Sequence, residues 1–115
     1  MRKIEQLTVA CLAAGEPCRQ GNSAVVPSFD DEGKHATWDY KLHGRTIARY
    51  WPATGKLWIG DAGLRTNTTK SRLNAILSKL APGWGIVQRD FTWHQECPDG
   101  HAHEWTGGWT FEGNA

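Results

Sequence analysis

The chain has 115 residues, of which 39% are hydrophobic and 22% are charged, and its formal net charge at pH 7 is +1. This length supports a single domain, residues 1–115, built around one hydrophobic core. The near-neutral charge excludes a strongly acidic mimic of DNA and counts against a dedicated, strongly basic nucleic-acid binder, so any electrostatic recognition has to be local.

The N-terminal region predicts a short helix that ends before Gly15 and Pro17. Its buried face is expected at the i, i+3, i+4 and i+7 positions: Ile4, Leu7, Thr8 and Cys11.

The chain is expected to work in the cytoplasm. Glu5 and Gln6 interrupt the first apolar run, which argues against a secretion signal. No apolar stretch approaches the ~20 residues that span a bilayer. Three cysteines are an odd number, which fits reduced thiols better than a disulfide framework.

Two neighbouring strands are predicted in the next segment, and a tight turn after the second strand leads into a third strand that contains Ile47. Residues 24–29 form a strand that Pro27 places at an edge, and residues 37–42 form its neighbour. His43 and Gly44 supply a two-residue hairpin turn that sets Tyr40 opposite Ile47. The core face of this hairpin is expected to carry Trp38, Tyr40, Leu42 and Ile47.

A further turn at residues 52–55 and a strand at 56–59 lead into a central helix. Thr66, Asn67 and Thr68 compete for its N-cap, and Pro82 and Gly83 end it. Its buried stripe is predicted at Leu73, Ile76, Leu77 and Leu80.

The remaining chain predicts strands and turns only. Residues 85–93 form one strand, residues 97–101 form a turn, and residues 102–105 pair back, with a last strand at 109–111. The predicted fold is therefore α+β: an antiparallel sheet of about five or six strands packed on one central helix, with a short N-terminal helix beside it.

An ordered series of motifs runs through this region: L-H-G-x-x-I-A from Leu42, D-A-G from Asp61, and T-x-T-T-K-x-R-L-N from Thr66 to Asn74. A weaker similarity extends to residues 21–23, Gln88, Phe91 and Trp93. The combination resembles a small domain family encoded by bacteriophages and prophages. The resemblance implies a fold and a phage context, and it brings no established activity.

The start of the central helix is the first candidate site. Free backbone N–H groups and the positive end of the helix dipole meet cations there, which favours an anion. The alternative is ordinary capping beside a solvated basic face. The candidate binding residues are Arg65, Thr68, Lys70 and Arg72, with Arg45 and Arg49 on the adjacent hairpin and Trp51 at its end.

The C-terminal turn holds residue types that ligate zinc. Cys97, His101 and His103 share one face of the predicted hairpin, whereas His94 lies on the other. Because three ligands at a hairpin tip make an incomplete structural site, we expect no native metal there and no cofactor elsewhere. Elemental analysis of untagged protein checks this expectation. One zinc per chain that disappears in Cys97→Ser would contradict it.

No nucleophile, paired-carboxylate or metalloprotease motif points to an enzyme. Seven Trp are an unusual number for this length. They either fill a thin core or stay partly exposed as contact points, for which Trp51, Trp105 and Trp109 are candidates. The leading interpretation is a non-enzymatic phage accessory protein that binds a host protein, such as a CRISPR or other defence effector. The alternative is a nucleic-acid-binding module that uses the basic helix start. The sequence leaves the oligomeric state open and predicts no membrane contact.

Overall fold

Two α-helices and nine β-strands form the described part of the chain, residues 2–113 of a computed structural model. The helices are α1 (Lys3–Ala14) and α2 (Asn67–Leu80). The strands are β1 (Cys18–Gln20), β2 (Ser23–Phe29), β3 (Ala36–Leu42), β4 (Arg45–Trp51), β5 (Lys56–Gly60), β6 (Gly85–Arg89), β7 (Thr92–Glu96), β8 (Ala102–Glu104) and β9 (Gly108–Phe111).

The strands divide into two antiparallel sheets. The large sheet has six strands in the order β1-β2-β3-β4-β5-β9, and the small sheet has three in the order β6-β7-β8. The α+β class is confirmed, but the expected single sheet is not what forms. One reason lies at the free edge of β6, where the Asn74 side chain takes the place of a neighbouring strand. Its Oδ1 accepts from the Ile86 N–H at 2.7 Å and its Nδ2 donates to the Ile86 carbonyl at 2.9 Å.

Both helices contribute to one buried cluster. Leu12 of α1 and Leu73, Ile76 and Leu77 of α2 are buried together with core-facing residues of both sheets. The predicted stripe of α2 is confirmed for these three residues, with Leu80 only partly buried. Packing of the sheet on one central helix is not confirmed, because α1 shares that role. Neither helix of the described chain is long and apolar enough to cross a membrane.

The buried face of α1 is rotated by one residue from the prediction. Its buried residues are Glu5, Thr8, Val9 and Leu12. Leu7, expected inside, is 46% exposed. A charged residue such as Glu5 is seldom buried without a partner, and a pairing described below allows its burial.

A β-bulge shifts the register of the β3–β4 hairpin. The turn at His43 and Gly44 forms as predicted, with positive φ angles of 51° and 78°. Tyr40 then pairs with Ala48 instead of Ile47, because the register shifts between Tyr40 and Lys41. An extra residue in one strand leaves the hydrophobic pattern readable but moves every later pair by one position.

The segment predicted as one strand at 85–93 is a hairpin of β6 and β7. The register runs from Gly85 opposite Glu96 to Arg89 opposite Thr92. Asp90 and Phe91 form the two-residue turn, with φ angles of 51° and 66°. The prediction missed the turn because Phe91 stands at the second position, where such turns favour Gly.

Candidate functional site

The start of α2 is anchored in the interior by Arg72. Its guanidinium donates to Glu5 Oε2 at 2.7 Å, to Ser23 Oγ at 3.1 Å and to Asn22 Oδ1 at 3.2 Å. The Arg72 side chain is only 4% exposed and that of Glu5 only 2%. Arg72 was predicted as a surface binding residue, but its guanidinium is paired with Glu5 inside the protein and is not available to a partner.

Glu5 has partners on both carboxylate oxygens. Its Oε1 accepts from the Arg2 backbone N–H at 3.1 Å, and its Oε2 also accepts from Ser71 Oγ at 2.6 Å. Burial by itself raises the pKa of Glu5, but the hydrogen bonds from Ser71 and Arg72 outweigh it and lower that pKa below its ordinary value. The carboxylate is held in its charged form as a structural link between the two helices.

The loop that begins at Asp61 is a second structural link. Asp61 Oδ2 accepts from Trp105 Nε1 at 2.8 Å and from Arg65 Nε at 3.1 Å, and Oδ1 accepts from the Gly63 N–H at 2.8 Å. Burial raises the pKa of Asp61, while these bonds, led by that of Trp105, lower it below its usual range. Trp105, expected among the exposed tryptophans, is 2% exposed and serves as a core residue.

The remaining basic candidates lie on more than one surface. Arg45 donates to the Ala62 carbonyl at 3.3 Å, and Arg65 bonds Asp61 in the same loop. Lys70 donates to Gln88 Oε1 at 3.2 Å, toward the small sheet. Thr68 is partly buried in the first turn of α2, whose N-cap is Thr66. Of the basic residues predicted at the helix start, Arg72 is therefore buried, while Arg65 and Lys70 have partners in different parts of the fold.

A groove lies on the face of the large sheet that does not carry the buried cluster, and we call it the outer-face groove. The sheet register aligns Asp39, Arg49, Trp58 and Thr110 in one row across four strands. The groove has a volume of about 730 Å³, which is within the usual size of ligand sites. Its lining consists of Asp30, Asp31, Glu32, His35, Thr46, Arg49, Trp51, Thr54, Lys56, Trp58 and Thr110.

Trp58 is seated in this groove by two glycines. A Cβ atom at Gly60 would lie 2.5 Å from Trp58 Cζ2, and one at Gly108 would lie 3.3 Å from its Nε1. The indole therefore lies close against the backbone of β5 and β9 in a space that a side chain would fill. A ring held in this way is preorganised for contact, because little rotamer freedom remains to be lost on binding.

Charged groups surround the two tryptophans of the groove. Arg49 pairs with Asp39 through two bonds of 2.8 and 3.2 Å and reaches Asp31 at 3.3 Å. The Lys56 ammonium lies 4.8 Å from the centroid of the Trp51 ring, which is a cation–π contact. Carboxylates of the loop at residues 30–32 form one wall, so the groove presents both signs of charge.

The C-terminal candidates are only partly brought together. Cys97 Sγ lies 3.2 Å from His103 Nε2, whereas His101 pairs with Asp99 at 2.9 Å. Within residues 2–113, no group of three potential metal ligands gathers. The His103 ring instead stacks on Trp109 with centroids 6.2 Å apart.

Arg49 and Trp51 are thus the predicted site residues that the groove unites. Trp58 and Lys56 were missed as site residues. Alternation along β5 contains the signal for both, because Lys56 and Trp58 share one face while Leu57 and Ile59 are buried on the other.

Comparison with known proteins gives one family. The family model described as Kyanoviridae Gp96 protein matches residues 1–112. This match confirms the resemblance to phage-encoded proteins that the motifs indicated. No curated protein and no solved structure matches the chain. The motif residues themselves occupy turns, a helix cap and buried hydrogen-bond networks, so they account for the fold and leave the outer-face groove outside the motif.

Proposed function

Since the chain belongs to the Kyanoviridae Gp96 family of phage proteins, we propose that it is a non-enzymatic accessory protein that binds a host protein through the outer-face groove. The observation that carries this proposal is the seating of Trp58 on Gly60 and Gly108. Evolved interfaces place their binding energy in a few fixed aromatic and Arg side chains, and this groove supplies Trp51, Trp58 and Arg49 together.

The mixed charge of the groove favours a protein as the partner. A protein surface can offer cations to Asp30 and Asp31 and carboxylates to Lys56. Within the large class of host proteins, an effector of a CRISPR or other defence system is the first to test, because a small phage protein without catalytic motifs can act by occupying such an effector.

Nucleic acid is the alternative partner. Aromatic rings beside cations form stacking platforms for single strands, and Trp51 with Lys56 has this arrangement. Three features count against it: the carboxylates of the loop at 30–32 would repel phosphates, Arg72 is paired internally, and the net charge is only +1. The expected salt dependence also differs, because phosphate contacts weaken steeply with salt.

The test is capture from a lysate of the phage's host cell, with and without nuclease, followed by affinity measurements on the purified partner. We expect Trp58→Ala to weaken binding by about thirtyfold, which corresponds to a hot-spot loss of about 2 kcal/mol. Gly60→Ala should weaken it as well, because the new methyl group displaces the ring while the indole remains present. Leu7→Ala, an exposed apolar position on α1, is the matched control and should bind normally.

Two results would contradict the proposal. Folded Trp58→Ala and Gly60→Ala variants that both bind like the original chain would remove the groove as the contact. Capture that disappears with nuclease and falls steeply between low and moderate salt would select the nucleic-acid alternative.

A further inference from the structure

The turn between β6 and β7 presents a large apolar side chain to solvent. Phe91 is 95% exposed, more than any other large hydrophobic residue of the described chain. It follows Asp90 in a two-residue turn, and we call this pair the Phe91 tip. An apolar ring that makes so little contact with its own protein contributes almost nothing to the core.

The backbone of the Phe91 tip is unfavourable for Phe91. Its φ angle is 66°, in the left-handed region where a bulky side chain is strained, whereas Asp90, with a φ angle of 51°, is of a type that tolerates this region. In the described chain, the other non-glycine residues with positive φ, His43 and Ala62, are each followed by a glycine that shares the turn. Among residues 2–113, only the Phe91 tip has two consecutive non-glycine residues in this conformation. Backbone strain that is not offset by packing of the Phe91 side chain indicates that this residue has a role other than stabilising the fold.

The hairpin that carries the Phe91 tip is firmly attached. Arg89 donates to Glu96 Oε2 at 2.8 Å across the two strands. Asn74 of α2 holds Ile86 through two hydrogen bonds, and Trp93 of β7 is buried in the core. The tip therefore projects from a fixed base, which lowers the entropy lost when it binds.

We propose that the Phe91 tip is a second contact point, in which the Phe91 ring enters an apolar pocket of a partner protein. The charges near the ring favour a protein over a phosphate-bearing partner. Asp90 adds a carboxylate to the same turn, Arg89 is paired with Glu96, and Lys70 bonds Gln88 at the base of the hairpin. Anionic lipid and nucleic acid would both meet this carboxylate unfavourably. The tip belongs to the small sheet and the outer-face groove to the large sheet, so this inference does not depend on the groove.

The experiment places a photo-crosslinking side chain at the tip. Phe91→benzoylphenylalanine is irradiated in nuclease-treated host lysate, and Phe29→benzoylphenylalanine is the matched control, since Phe29 is also 63% exposed. We expect a protein that crosslinks at position 91 and not at position 29. Its purified form should then bind Phe91→Gly at least about tenfold more weakly, and bind Phe91→Leu within about threefold of the original chain.

Thermal unfolding separates loss of contact from loss of fold. Because glycine adopts positive φ without strain, Phe91→Gly should unfold at a Tm equal to or above that of the original chain. The inference is overturned if crosslinking is absent or identical at both positions, if Phe91→Gly binds unchanged, or if its Tm falls. Phe91-dependent sedimentation of the chain with anionic phospholipid vesicles would overturn it in favour of a lipid surface.

Discussion

Replacing Arg72 with Met should lower the free energy of unfolding by about 3–5 kcal/mol, because it leaves the Glu5 carboxylate buried without its cation. The two side chains are joined by a bond of 2.7 Å and are almost completely enclosed. Urea unfolding at pH 7 measures the loss. Arg19→Met removes an exposed cation from β1 and should change stability by less than about 0.5 kcal/mol.

The pH dependence of this loss follows from the pKa of Glu5. Burial raises that pKa, but the bonds from Ser71 and Arg72 lower it below the ordinary value of 4.5. A lowered pKa in the folded state contributes stability above the unfolded pKa, and this contribution is lost as the pH falls through the folded value. In Arg72→Met, the bond from Arg72 that lowers the pKa of Glu5 is absent. The difference in free energy of unfolding between this variant and the original chain should therefore shrink below pH 4.5.

A double variant completes this test. Glu5→Leu combined with Arg72→Met removes both charges and should recover much of the stability that Arg72→Met loses. If Arg72→Met alone unfolds like the original chain, the pair contributes no specific stabilisation. The same argument makes charge reversal at Arg72 unsuitable as a test of surface binding, since a second carboxylate would face Glu5 in the interior.

Leu77→Ala should cost about 2–5 kcal/mol, because it opens a cavity where both helices and the large sheet meet. Leu77 is fully buried, in one cluster with Leu12, Ile47 and Ile76. Denaturant unfolding of Leu77→Ala beside Ser78→Ala, an exposed position on the same helix, provides the comparison. A loss below about 1 kcal/mol would mean that the cluster closes around the missing side chain.

Features set by local pattern were predictable from the sequence. The stripe at Leu73, Ile76 and Leu77 follows from helical spacing, and the turn at His43 and Gly44 follows from the positive φ that glycine accepts. Features set by distant partners were not predictable. Glu5 is buried because Arg72, 67 residues later, neutralises it, and no local pattern contains that information.

The same division applies to the candidate site. Arg49 and Trp51 were predictable as hairpin residues, but the prediction grouped them with Arg72 because the D-A-G connection leads from the sheet directly into the helix start. Trp58 was missed, since an aromatic residue in a strand is usually buried. Its place in the groove depends on Gly60 and Gly108 lying beside each other in adjacent strands, a pairing that follows from the arrangement of β5 and β9.

The side-chain amide of Asn74 has a consequence for how the chain behaves at high concentration. A free strand edge is a template on which other chains can add strands and aggregate. By bonding both backbone groups of Ile86, Asn74 closes the edge of β6 near its N-terminal end. The outermost strands of the large sheet, β1 and β9, are only three and four residues long, which limits pairing there as well. These features should limit intermolecular β-pairing at the three edges when the protein is concentrated.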